Sequence, residues 1–426
     1  MLDIAVAFLI LIFLLFIGIP VGVSLILASL YNLLAGGAVS LMQIPHMFYA
    51  SFDHFTLLAI PMFIYAADIL MEGNITDMVF DFANAVFGRF PGGLGSSAIA
   101  STMLFAGISG SSAADAAAIG KIGTQGMAAR GYGKPYSAAL IATSSTLAIL
   151  IPPSIAMIIY GSLSGASIGS LFFAGILPGI LIGIGLMAFN TFFAWRKGYH
   201  AQVRASVWKT GMRAVWVVFL PVFILYGFYT GAYTPTEIGT ITVLYSMLIT
   251  RFVYRTLRFK DFITILKKSA LTNASLFLII AGAILFSKIF TQRDMAHTLI
   301  EFIKAEHLSP NMFLIYVSLG LTFLGMFLEG VALNVMTTPL LLPALNAMGI
   351  DLVHYGVILV LNIEIALITP PVGLNLFILS AATDVSLNDL FKNIFPFVLI
   401  MILGLLLIIF FPSLSLIVPN FFLGNH

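Results

Sequence analysis

The sequence predicts an all-α polytopic membrane protein built from inverted-topology repeats, with two re-entrant hairpins and two discontinuous helices. Three observations carry that expectation: extreme apolarity, a duplication at constant spacing, and the placing of the basic residues. Hydrophobic residues are 60% of the chain, mean hydropathy is +1.09 and charged residues are only 8%. Soluble domains carry roughly a quarter charged residues. An aqueous fold could not hide so much apolar surface, so the helices face lipid. A net charge of +2 gives no basis for nucleic-acid binding. The absence of cysteine excludes disulfides, thiolate catalysis and cysteine metal sites.

The duplication is read from Pro152-Pro153, which recurs as Pro370-Pro371, an offset of 370 − 152 = 218. The same offset carries Phe105 to Phe323, Gly107 to Gly325, Gly131 to Gly349, Ser162 to Ser380, Phe173 to Phe391 and Pro178 to Pro396. Read this way, no gap is needed from 105 to 184. Duplicated halves in so apolar a chain point to a transporter whose site lies where the halves meet.

Taken in order, residues 1–45 are expected to form an N-terminal scaffold helix. Met1-Leu-Asp-Ile has no basic n-region, and the apolar run 4–35 is too long for a signal peptide, so it reads as a retained membrane helix. Residues 46–195 form repeat 1, with a span over 47–71, a hairpin over 94–128, a broken helix over 134–164 and a span over 168–195. Residues 196–260 hold two basic loops and two scaffold helices, 213–231 and 236–253. Residues 261–426 form repeat 2, with a span over 268–290, a hairpin over 312–346, a broken helix over 353–383 and a span over 391–419. The segments ending at Leu70 and Leu285 are a weaker match at an offset of 215.

Charge sets direction. Arg196, Lys197, Arg204, Lys209 and Arg213 form one basic loop, and Arg251, Arg255, Arg258, Lys260, Lys267 and Lys268 another. The positive-inside rule puts both in the cytoplasm, where they meet anionic headgroups of the lipid bilayer. The segment between them, Gly231 to Glu237, has no Lys or Arg and reads as external. Thr234, Pro235 and Glu237 there read as a capping box opening a helix. Working outward, hairpin 94–128 opens and closes on the cytoplasmic side, as its flanks Arg89, Arg130 and Lys134 agree, whereas 312–346 does so outside. The two halves are thus inserted in opposite senses, with the N-terminus cytoplasmic and the C-terminus external.

The broken segments carry the candidate chemistry. The first hairpin turns at Gly107-Ile-Ser-Gly-Ser-Ser-Ala-Ala-Asp115 and the second at Gly325-Met-Phe-Leu-Glu-Gly-Val-Ala-Leu-Asn334. Backbone exposed at that depth must line a cavity or be buried in protein. The plainer reading is close helix packing through small residues; Asp115, Glu329 and Asn334 are costly additions to mere packing. The proline pairs remove amide donors inside would-be spans. Ser144, Ser145, Thr146 and Ser154 flank the first break; Asn362, Glu364, Thr369, Gly373 and Asn375 flank the second. Unwound carbonyls with hydroxyl and amide oxygens suit a small hard cation. The alternative is a proline kink with back-bonded Ser and Thr. His46, His54, His297, His307 and His354 show no ligand spacing for a transition metal.

The Gly107-to-Gly120 run, Arg130-Gly-Tyr132, the Ile-Pro-Pro-Ser154 break and the Thr-Pro-Pro-Val-Gly373 break together resemble the large membrane subunit of a tripartite ATP-independent periplasmic (TRAP) transporter, of the DctM or SiaM type. The resemblance spans essentially the whole chain, and the combination of motifs is specific where any single motif is not. It implies a sodium-driven elevator importer in a bacterial inner membrane. Its implied partners are a small four-helix membrane subunit, expected as a separate chain, and a periplasmic solute-binding protein that delivers an organic acid such as sialic acid or a C4-dicarboxylate. On this picture one Na+ sits between Gly107 and the Ser144, Ser145 and Thr146 break, and a second between Gly325 and Thr369, Gly373 and Asn375. The substrate lies between the tips, near Ser109, Ser111, Ser112, Asp115, Ser154, Glu329 and Asn375.

Two other classes compete. Gly107-Ile-Ser109-Gly110 resembles the Gly-x-Ser-Gly loop of rhomboid proteases, but needs a histidine at membrane depth beside Ser109, and a protease gives no reason for a copied half. An ion channel is the other rival; closed tips and inverted repeats favour alternating access over a continuous pore.

Overall fold

A computed structural model describes residues 2–35, 42–199 and 206–424, and their regular structure is entirely helical. Arg204 of the first basic loop lies outside the described residues. The apolar run at the N-terminus is two helices rather than the one expected: α1 (Leu2–Phe16) and α2 (Val21–Ala35). Gly18 is left-handed at φ +86°, and Pro20 just before α2 has no amide to donate, so the helix cannot continue through them. The expected span over 47–71 is also divided. Its first residues end α3 (Gln43–Phe52), and after Asp53 a 3-10 turn at Phe55–Leu58 runs into α4 (Ala59–Glu72).

Beyond α4, each half repeats one order of elements. In the first, α5 (Ile75–Phe87) leads to the hairpin pair α6 (Gly93–Ser109) and α7 (Ser112–Ala128). The broken pair α8 (Lys134–Thr146) and α9 (Ile155–Ser164) follows, then the long α10 (Ile168–Lys197). Between the halves lie α11 (Val207–Tyr229) and α12 (Pro235–Leu248). The second half starts at α13 (Phe259–Gln292), the counterpart of α4. Then come α14 (Met295–Ala305), the hairpin α15 (Pro310–Gly325) and α16 (Gly330–Ala347), and the broken pair α17 (Leu352–Ile368) and α18 (Leu374–Thr383). The chain closes with α19 (Leu387–Phe410) and α20 (Ser413–Leu423). The expected run 391–419 is cut at Pro412, between these last two helices. The mixed charges around 293–306 lie on and beside α14.

Backbone joints mark the repeat more sharply than identities do. Asn74 and Asp294 are both left-handed and both open a short amphipathic helix, α5 and α14. Gly131 and Gly349 are left-handed at +89° and +65°. Both Pro-Pro bonds are cis. The N-caps Ser111 and Glu329 keep the offset of 218. Past the proline pairs it becomes 219: Ser154 and Gly373 open α9 and α18, Gly165 and Asp384 close them, and Ser167 and Ser386 open α10 and α19. The second break therefore holds one more residue than the first, and the ungapped reading to 184 is one residue out of register beyond it.

The halves exchange partners. Helix α7 packs on α18 and α16 on α9; α8 packs on α19 and α17 on α10. Each pairing is the other under exchange of halves, as a pseudo-two-fold relation requires. Around this core, α2, α4, α12 and α13 form a framework: α13 packs on α2 and α4, and α12 on α4. It is bonded across α4 and α13, where Ser269 donates to Asp68, Lys268 pairs with Glu72 at 2.8 Å, and Tyr65 donates to the Phe262 carbonyl. The capping box at Thr234 and Glu237 is formed as expected. Among the described residues, six helices are long and apolar enough to cross a membrane. The fragments α8, α9, α17 and α18 are each too short to do so singly, as 10 to 17 residues reach about 15–25 Å at 1.5 Å per residue.

Candidate functional site

The two tips and the two breaks converge. At the first tip Gly110 closes α6 with φ +60°, and Ser111 caps α7, accepting from the Ala114 amide at 3.5 Å. A Cβ on Gly110 would stand 2.6 Å from the Pro153 carbonyl, so only glycine fits between the tip and the first break. The Ile155 amide donates to the Gly110 carbonyl at 3.4 Å, tying the tip to the start of α9. At the second tip Glu329 caps α16, its carboxyl accepting from Val331 and Ala332 amides at 2.9 and 3.3 Å. Asn334, one turn into α16, donates to the Ala156 carbonyl at 2.8 Å and accepts from Thr338 at 3.0 Å. Both hairpins are thus fastened to adjacent residues at the start of α9.

A cavity of about 90 Å³ lies at this junction. Gly110, Ser111 and Ser112 line it from the first tip, and Glu329 and Gly330 from the second. Ile149, Ile155 and Ala156 contribute from the first break, Ile363, Leu367 and Leu374 from around the second, and Leu276 from α13. It is smaller than the roughly 300–1,000 Å³ of ligand clefts. A substrate would need the tips to part.

The remaining candidate residues fall into two groups. Some are satisfied by their own neighbourhood. Ser109 donates to the buried carboxyl of Asp115, which holds the tip from within. Ser154 caps α9, donating to the Ile149 carbonyl and accepting from the Met157 amide. Ser144, Thr146 and Thr369 donate to carbonyls of Ile141, Thr143 and Ile365. Gly107 and Gly325 allow close packing: a Cβ would stand 2.5 Å from Pro221 of α11 and 2.6 Å from Ala366 respectively. Gly373 takes φ +60° where α18 begins. Others keep unpaired buried oxygens, namely Ser145 Oγ, Asn375 Oδ1, Asp115 Oδ2 and both carboxyl oxygens of Glu364. Asn375 donates to the Ala142 carbonyl at 3.4 Å, which sets α18 beside the helix that carries Ser145. Buried oxygens without partners are costly and are met by a water, a proton or a cation.

Sequence reasoning placed Asn334 and Glu364 in the polar segments without giving them a role. Their signal was a polar side chain inside an otherwise apolar helix. The apolar lining of the cavity has no such signal. The rhomboid-like reading needs a histidine beside Ser109; His354 sits 3.2 Å from Ser415 of α20.

Residues 8–414 match the family described as tripartite ATP-independent periplasmic transporter, DctM component. The C4-dicarboxylate TRAP transporter large permease protein DctM of Pseudomonas aeruginosa is 39% identical over 371 residues, covering 86% of this chain and 87% of that one. The sialic acid TRAP transporter large permease protein SiaM of Vibrio cholerae is 34% identical over 414 residues, covering 96% and 97%. Among solved structures, the YdaH transporter of Alcanivorax borkumensis superposes with a TM-score of 0.64 over 86% of each chain, at 11% identity; this likeness is one of fold. The chain belongs to the DctM family of TRAP transporter large permeases.

Proposed function

We propose that this DctM-family permease is the membrane-spanning importer of a small organic acid of the C4-dicarboxylate or sialic acid class, driven by the sodium gradient. In this reading it works in a bacterial inner membrane with a small four-helix membrane subunit and a periplasmic solute-binding protein. The observation that carries the reading is the cavity where both tips and both breaks meet. Such a site can be opened from either side by moving the core as one body.

The chemistry follows from the lining. Among the described residues no Lys or Arg lines the cavity, so a carboxylate must be held by other means. The N-terminus of α7 supplies amide hydrogens and a positive dipole end, with Ser111 and Ser112 hydroxyls beside it. The N-terminus of α16 is already occupied by Glu329. The substrate's carboxylate therefore sits toward the first tip. Ser145 Oγ and Asn375 Oδ1 supply unpaired oxygens for one sodium, completed by carbonyls at the break. Cation and acid then stabilise each other's binding, which is the coupling.

The test is uptake of radiolabelled succinate and N-acetylneuraminate into proteoliposomes holding the permease, its small subunit and its binding protein. Uptake of either should require an inward sodium gradient and should be negligible for the permease alone. Robust uptake by the single chain, or uptake indifferent to sodium, would contradict the reading.

A further inference from the structure

On the face opposite the basic loops, a second and larger cavity of about 650 Å³ opens between the framework and the core. One wall is Thr56, and Tyr233 and Pro235 at the start of α12, with the end of α11 at Phe228 to Thr230 between framework and core. The core side is Gly161 and Ser162 of α9, and Ser167 to Gly169 where α10 begins. Thr56 and Ser162 bridge the two sides with their hydroxyls 2.7 Å apart.

The two ends of the bridge are held by different helices. The 3-10 turn that carries Thr56 is fixed to α12, because Thr236 donates to the Phe55 carbonyl at 3.0 Å. Helix α9, which carries Ser162, is fixed within the core: Tyr160 donates to the Leu352 carbonyl at 2.7 Å, and Asn334 holds Ala156. Beside the cavity the neighbouring contacts are apolar: a Cβ at Gly169 would be 3.4 Å from Phe228, and the Phe228 ring meets that of Phe172 of α10 edge-on at 5.1 Å. The Thr56–Ser162 pair is a polar contact among them. The bridge can break without stranding a buried group. Ser162 and Thr56 are only half-buried at the cavity rim, and a helical serine can turn to the carbonyl one turn back. At the offset of 219 that holds past the proline pairs, the counterpart of Ser162 is Ala381, which has no hydroxyl to make such a crossing.

We propose that Thr56 and Ser162, at the rim of the 650 Å³ cavity, form a reversible catch between framework and core. The inference rests on the transport reading above. A net hydroxyl hydrogen bond shifts an equilibrium by about fivefold, enough to bias two states and too little to lock one.

The chain contains no cysteine, so the catch can be tested by cross-linking. Thr56→Cys and Ser162→Cys are introduced together in the complete transporter in proteoliposomes. Disulfide formation is followed by loss of both maleimide-reactive thiols. Cross-linking should reduce succinate or N-acetylneuraminate uptake by about tenfold or more, with recovery on reduction, and each single variant should ignore the oxidant. Parental uptake rates with both thiols consumed would overturn the catch. If the parent takes up neither acid, the transport reading fails separately, and spin labels decide the catch. Labels at Ala232→Cys on the framework and Asn346→Cys on the core should give two distance populations, with their ratio shifted about fivefold by Ser162→Ala. One distance, unchanged by Ser162→Ala, would dismiss it.

Discussion

The two hairpin tips occupy the same place in the two halves and are built differently. The first turns in two residues, with Gly110 left-handed and a neutral serine capping α7. The second takes four residues from Met326 to Glu329, with no left-handed residue among them and a carboxyl capping α16. What the halves share is backbone: caps at Ser111 and Glu329, left-handed joints at Gly131 and Gly349, and proline pairs at the breaks. What they do not share is side-chain chemistry. Duplication has kept the joints that make a hairpin and a broken helix possible, and left the atoms facing the cavity free to differ. The amide end of α7 is capped by a neutral hydroxyl and that of α16 by a carboxyl.

The largest test of this comparison asks whether the halves are inverted at all. Cysteines at Lys209 and Arg258 should be protected from an impermeant thiol reagent added outside intact cells, while one at Thr234 reacts fully. External labelling at 209 or 258 would put both halves in the same sense and remove the comparison.

Next in size is the difference between the tips. Gly110→Ala forces a Cβ against the Pro153 carbonyl and an unfavourable left-handed alanine, a cost of about 2–4 kcal/mol. Its thermal midpoint in detergent should fall about as far as that of Leu328→Ala at the sequence-equivalent position, where loss of buried packing costs about 2–5 kcal/mol. A parental midpoint for Gly110→Ala would mean the first tip is not closed on its break.

A smaller contrast separates the two asparagines that join the halves. Asn334→Ala removes a 2.8 Å bond to Ala156 and strands Thr338, and should cost about 1–3 kcal/mol. Asn375→Ala removes a 3.4 Å bond and one unpaired oxygen, and should cost under about 1 kcal/mol. The reverse order in thermal unfolding would show the second break to be the tighter junction.

The smallest expected effect is on sodium. Ser145→Ala and Asn375→Ala should raise the sodium concentration for half-maximal uptake several-fold at matched protein levels, whereas Thr369→Ala, already back-bonded to Ile365, should change it less. A parental sodium response in all three variants would leave the polar residues at the breaks as kink-fillers.

The sequence was most legible where structure depends on local backbone chemistry. Proline pairs and glycines punctuate a helix wherever it lies, so hairpins 94–128 and 312–346 and both broken helices fall within about two residues of their observed bounds. The same residues were misjudged in α1 and α2. There Gly18 and Pro20 were subordinate to a hydropathy run that cannot tell one long helix from two short ones. Side-chain roles were legible only in part. Asp115 and Glu329 are polar residues in apolar segments and so drew attention as ligands, yet one holds Ser109 and the other caps its own helix. A hydrogen-bond partner six residues away, or in the adjacent turn, leaves no trace in spacing alone.

By itself, then, the sequence determined the solvent, the duplication and the joints. Each follows from composition or from dihedral limits that a residue carries into any surroundings. Tertiary structure decided which oxygens remain unpaired, that the second break holds one residue more, and that Gly110 meets Ile155 while Asn334 meets Ala156. Those outcomes depend on which atoms from distant segments reach hydrogen-bonding distance, and only packing the two halves against each other fixes that.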